Sequence, residues 1–126
     1  MLFFWAGAAA LAAIVVAAVV LATMGGDGHR GEGIDADTTP VVVSGDRAEV
    51  LVIDSAFKPA IVKVPQGATV AWTWDGNLPH NVEGDGFESD TQTDGTFEFT
   101  FEDAGTYDYE CTVHPGMEGR VVVDAQ

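Results

Sequence analysis

The chain has 126 residues, with 20 Asp and Glu against 5 Lys and Arg, a net charge of −15. All of that charge falls on residues 25 to 126, a length that supports one small core and no second one. So acidic a surface repels nucleic acid and anionic lipid headgroups, and a single cysteine, Cys111, excludes an intrachain disulfide framework, a zinc ribbon and any site built on two thiolates.

From Leu2 to Met24 the chain is uncharged. As a helix this stretch would span about 34 Å at 1.5 Å per residue, against a hydrocarbon core of about 30 Å. It lacks the basic leader of a cleavable signal and is longer than the usual apolar stretch of about 7 to 15 residues. Residues 1–24 are therefore predicted to be an uncleaved single-pass anchor that holds the rest of the chain on the extracytoplasmic side of the cell membrane. Residues 25–46 are rich in glycine and acid with little to bury, and read as a flexible tether with a root-mean-square reach of roughly 25 Å. His29 falls there and reads as a solvated linker residue.

Residues 47–126 form the predicted folded domain, where the pattern changes to period two. Phe97, Phe99 and Phe101 alternate with Glu98, Thr100 and Glu102, so one face is buried and one is wet. The same alternation runs through Val62 and Val64, through Val70, Trp72 and Trp74, and through Tyr107, Tyr109 and Cys111. Cys111 shares parity with two aromatics and is expected to point inward. Val50 to Ile53 and Val121 to Val123 are β-branched runs suited to a sheet interior. Glycine-containing breakers such as Pro65-Gln66-Gly67, Asp75-Gly76-Asn77 and Asp94-Gly95 separate these runs. The fold class is all-β, a sandwich of seven or eight antiparallel strands.

Four side chains of the types that bind soft or borderline metals stand out: His80 in Leu78-Pro79-His80-Asn81-Val82, and Cys111, His114 and Met117 in one short loop. Cys111 ends a strand, and the five residues before Met117 return the chain to the same end of the sandwich. Two imidazoles, one thiolate and a weak thioether donor suit copper cycling between Cu(I) and Cu(II), whereas zinc prefers a tetrahedral set without methionine. Taken singly, each of these residues reads as core filler or loop surface. Together they require four coincidences.

On these residues the sequence resembles the plastocyanin-like type 1 copper proteins, the cupredoxins. The resemblance runs from about Ala48 to the end. It rests on Phe57 and Pro59, on Gly67 to Trp72, on Pro79-His80-Asn81-Val82 and on Gly105 to Cys111 through Met117 to Val121. The ligand loop looks most like amicyanin, and the acidic composition looks like the halocyanins of salt-loving archaea. The resemblance implies a Greek-key sandwich holding one copper, with His80, Cys111 and His114 as equatorial ligands, Met117 as the axial one and Asn81 close to the thiolate. It also implies that one imidazole edge in the ligand loop faces solvent, so the uncharged Leu78, Pro79, Pro115 and Gly116 around His114 become a candidate docking patch for redox protein partners. Trp74, where relatives commonly carry a polar residue, and Val113, in place of the usual proline, depart from the family pattern.

A copper held by four protein ligands has no open position for substrate, which disfavours an enzyme. Three histidines in total are too few for the further copper sites of multicopper oxidases or copper nitrite reductases. The expectation is a membrane-tethered carrier of single electrons adapted to high salt, with copper storage or delivery as the alternative.

Overall fold

Alternating burial shapes the strands and decides which side chains meet between them. The computed structural model describes residues 31–126, so the apolar segment 1–24, the first tether residues 25–30 and His29 lie outside the described residues. Ten strands follow in order: β1 (Val41–Val42), β2 (Arg47–Val52), β3 (Phe57–Lys58), β4 (Ile61–Pro65), β5 (Thr69–Trp74), β6 (Glu83–Gly84), β7 (Phe87–Glu88), β8 (Thr96–Thr100), β9 (Gly105–Glu110) and β10 (Glu118–Asp124). They make two sheets, one in the order β1-β4-β10-β9-β6-β7 and one in the order β3-β2-β5-β8. Among the described residues no helix is long and apolar enough to cross a membrane.

The architecture is all-β, as expected, but the sheets are mixed rather than antiparallel. β1 and β4, β4 and β10, and β2 and β5 pair in parallel. The strand count also exceeds seven or eight, because β1, β3, β6 and β7 are two-residue strands. Alternation in a sequence fixes which face of a strand is buried, not its partner or direction, and two-residue strands are too short to show any period.

A second correction concerns the expected tether over 25–46. Its C-terminal part belongs to the fold: β1 adds to the open edge of β4, and Val43 donates its N–H to the Lys63 carbonyl at 2.8 Å. The run Val41-Val42-Val43 supplies the β-branched residues an edge strand favours, and Val43 packs against the core.

Between the sheets lies an aromatic cluster centred on Trp72, which is fully buried. Trp72 stacks on Phe87 at 5.7 Å between ring centroids and meets Tyr109 edge-on at 5.3 Å. Phe97, opposite Trp72 on β8, and Phe101 complete the packing. Such contacts exceed simple area burial by about 0.5–1.5 kcal/mol per pair. The cluster runs along β5, from Phe101 beside its start to Trp72 near its end, where β9 also finishes and β10 begins.

Candidate metal centre

That end carries all four candidate ligands. His80 follows β5, Cys111 follows β9, and Met117 immediately precedes β10. His80, Cys111 and Met117 are buried, while His114 is half-buried. Cys111 Sγ lies 3.6 Å from His80 Nδ1, and the His80 and His114 rings are stacked at 5.7 Å with only 18° between their planes. The geometry therefore brings His80 to both Cys111 and His114, with Met117 on the same loop.

Each arm of the site is held by identifiable bonds. The His80 backbone exchanges N–H and carbonyl with Gln92, both at 3.0 Å. Its carbonyl also accepts the buried indole N–H of Trp74 at 3.0 Å. This contact gives Trp74, the departure from the family pattern, a concrete role: it ties the last residue of β5 to the ligand-bearing turn. Asn81 is likewise part of the frame. Its amide donates to Thr112 Oγ1 at 3.0 Å and its carbonyl oxygen accepts the Thr112 N–H at 2.8 Å, joining the residue after His80 to the residue after Cys111.

The ligand loop closes on itself through the Cys111 N–H to the Met117 carbonyl at 3.0 Å and the Met117 N–H to the His114 carbonyl at 3.2 Å. Leu78, Pro79 and Pro115 are exposed beside it, Gly116 is half-exposed, and Val113 is 51% exposed. The four uncharged residues of the candidate patch are thus all at least partly open to solvent.

Sequence reasoning missed Asp54. Its Oδ1 accepts the N–H groups of Asn77 at 2.8 Å and Leu78 at 2.9 Å, capping the turn that leads to His80. The turn passes so close that a β carbon on Gly76 would meet the same oxygen, so a larger residue there would displace the Asp54 carboxylate from its cap. Asp54 Oδ1 also lies 3.7 Å from His80 Nε2, a buried nitrogen with no hydrogen-bond partner. The two turn amides hold the Asp54 carboxyl below the usual carboxylate range. Burial, and then the neighbouring His114, hold the His80 imidazole below its ordinary value, with Asp54 opposing both. Asp54 lies in a stretch with no recognisable pattern, 24 positions from Leu78, and only the proximity of β2 to β5 brings it here.

The donor set fits copper on this structure's own terms. A neutral imidazole with its Nδ1 turned toward a buried thiol sulfur, beside a second ring and a buried methionine, is a soft and borderline set. His80 Nε2 faces away toward a carboxylate, the arrangement that orients a ligating histidine.

Comparison with known proteins agrees. Residues 41–124 match the family described as copper binding proteins, plastocyanin/azurin family. Amicyanin-alpha of Methylorubrum extorquens is 39% identical over 84 residues, covering 60% of this chain and 71% of that protein. Halocyanin of Natronomonas pharaonis is 44% identical over 79 residues, covering 55% of this chain and 48% of that protein. Among solved structures, a purple cupredoxin from Nitrosopumilus maritimus superimposes with a TM-score of 0.57 at 31% identity, covering 61% of this chain and 99% of that one.

Proposed function

The chain belongs to the plastocyanin/azurin family of copper-binding proteins as a type 1 copper cupredoxin, and from that premise we propose that it is a membrane-tethered carrier of single electrons between redox proteins outside the cytoplasm. His80, Cys111 and His114 would hold the copper in a plane, with Met117 as the weak axial donor. Bound there, copper supplies a reversible Cu(I)/Cu(II) couple.

One observation carries the reading: three donors are buried and cross-braced, while the fourth, His114, is half-buried among exposed neighbours. The Trp74, Gln92 and Asn81 bonds hold His80 and Cys111 in place whichever charge the site carries, and the half-buried His114 provides the exit. The uncharged residues 78, 79, 115 and 116 give that exit a docking face without charge repulsion in a very acidic protein. Tethering is supported by the uncharged run of residues 2–24, and confinement near a membrane raises the effective concentration of a partner there. Adaptation to high salt is supported by the net charge of −15, because added salt screens the repulsion among the carboxylates.

The test is to load the full chain with Cu(II) in detergent and record its visible spectrum during reductive titration. An intense thiolate band that bleaches with one electron per copper and returns on oxidation is the expected result. A colourless protein rejects the carrier, and a protein that surrenders its copper rapidly to a chelator points to delivery instead. Retention of the full chain by membranes after a high-salt wash checks the tether.

A further inference from the structure

Part of the segment that sequence alone assigns to the linker lies across the ligand loop. Gly31 donates its N–H to the Pro115 carbonyl at 3.1 Å, and Glu118 donates its N–H to the Glu32 carbonyl at 3.3 Å. These two bonds form a short ladder against residues 115–118. On its other side Glu32 donates its own N–H to the Ser55 carbonyl at 2.7 Å, and its carboxylate pairs with Lys58 Nζ at 2.9 Å. The segment therefore bridges the ligand loop and the turn between β2 and β3.

The contact with Met117 leaves no room. A β carbon at Gly31 would fall 2.4 Å from Met117 N and 2.5 Å from its Cα and Cβ. One at Gly33 would fall 3.0 Å from Glu118 Oε1 and 3.3 Å from the Gly116 carbonyl. Glycine at 31 is thus required by the approach of one backbone to another. A linker that merely passed by would tolerate any small residue at this position and would make no paired backbone bonds.

We propose that Gly31–Gly33 is a positioning strap that presses on the backbone of Met117 and fixes how its thioether is presented to the copper. The inference rests on Met117 being the axial donor. It assigns a role to a segment that contains no ligand and lies about 80 residues before the loop it braces. A ligand loop closed only by its own bonds can loosen, whereas one clamped between the strap and the body of the sheet holds its weakest donor at a set position. Because a weak axial donor favours Cu(II) over Cu(I), loosening it raises the reduction potential.

The experiment compares the copper-loaded full chain with Gly31→Val and with Gly45→Ala. The latter is the control, because a β carbon at Gly45 meets nothing within 4 Å. Three quantities are read: the intensity ratio of the thiolate bands, the reduction potential, and the rate of copper loss to a chelator. Gly31→Val is expected to change the band ratio and to lose copper at least tenfold faster. It should also shift the oxidised-to-reduced equilibrium about tenfold toward Cu(I), equivalent to about 59 mV for one electron. Gly45→Ala should match the wild type in all three. Should Gly31→Val fail to fold, Glu32→Pro removes the N–H donated to Ser55 without adding bulk at Met117, and it should produce the same changes at about threefold. A blue wild type whose strap variants keep its spectrum, potential and release rate within experimental scatter overturns the strap alone. A colourless wild type overturns the Met117 assignment beneath it.

Discussion

The two arms of the candidate copper site are held in different ways. On the His80 arm the backbone is bonded in both directions to Gln92, the carbonyl takes a second bond from Trp74, and Asp54 caps the preceding turn. These partners come from three separate parts of the chain, and the imidazole is 1% exposed. On the Cys111–Met117 arm the loop closes on itself through two backbone bonds and is tied outward at Thr112 by Asn81 and at Pro115 by Gly31, while His114 is half-buried and Val113 is half-exposed. The scaffold thus buries and imposes the position of one histidine, while the loop, braced at its ends, carries the other histidine nearer the outside. Electron transfer needs both properties: donors that barely move between oxidation states, and one ring edge at the surface.

The sharpest break in this comparison is at the atom shared by both arms. Cys111→Ser removes the thiolate that faces His80 Nδ1 but leaves the Cys111 backbone bond to Met117 intact. Complete loss of visible colour is expected with an unchanged far-ultraviolet circular dichroism spectrum, because the core does not depend on the sulfur. Residual colour would mean that another residue supplies the charge-transfer donor.

Next in size is the tie between β5 and the His80 turn. Trp74→Phe keeps a ring but removes the indole N–H, and it also loses part of the packing of a residue that is 6% exposed. The expected cost is about 2 kcal/mol in the metal-free protein, read from denaturant unfolding at constant m-value. Val113→Ala, on the exposed arm, should fall within about 0.5 kcal/mol of wild type. Equal losses in the two variants would erase the distinction between a buried arm and an exposed one.

The two arms were also unequally legible in the sequence. His80, Cys111, His114 and Met117 stand out because metal ligands of the right types are rare and closely spaced, and the parity of Cys111 with Tyr107 and Tyr109 correctly placed it facing inward. The alternation of Phe97, Phe99 and Phe101 with polar neighbours likewise appears in the burial of β8 and the residue after it. What supports the ligands was hidden. Asp54, Gln92 and Thr112 are ordinary polar residues whose roles arise only from contacts distant in sequence, and nothing in their local pattern marks them. Parallel pairing of β2 with β5 and of β4 with β10 was missed for the same reason, since each strand's periodicity is silent about its partner. The strap was misread because glycine and acid are also the composition of a free linker. Trp74 lies between these cases: its departure from the family pattern was visible, its bond to His80 was not.

The exposed face of the ligand-loop arm gives a third expectation. Leu78 is 53% exposed, and Pro115 follows the half-buried His114, so a charge at either position lies on the route to a docking partner. Leu78→Asp and Pro115→Glu should each slow electron self-exchange about tenfold, roughly 1.4 kcal/mol in the barrier, because two negative patches must then meet. Neither residue is a ligand, so the visible spectrum should not change. Unchanged exchange in both variants would move the docking face elsewhere.

The smallest effect concerns protons on the braced arm of the metal-free protein. The turn amides hold the Asp54 carboxyl below its usual range, and burial holds the His80 imidazole below its own. Both groups bind protons more weakly folded than unfolded, so each favours unfolding as acid is added. The His80 contribution sets in as pH falls below about 6.5 and the Asp54 contribution below about 4, the ordinary values of these groups in an unfolded chain. Asp54→Asn keeps an acceptor for the two turn amides but removes the charge, so it should melt a few degrees lower at neutral pH. Without that carboxylate His80 becomes still harder to protonate, and the two melting curves should therefore stay apart between about pH 6.5 and pH 4. They should converge only below that, where the wild-type carboxyl takes up its proton and comes to resemble the amide. Relief of general carboxylate repulsion in acid is common to both proteins and cancels in the difference. Thermal melts of the two metal-free proteins from pH 7.5 to pH 3 check this, and a difference that is absent at pH 7.5 and opens only below about pH 6.5 would show that Asp54 acts only through the histidine and not through the turn it caps.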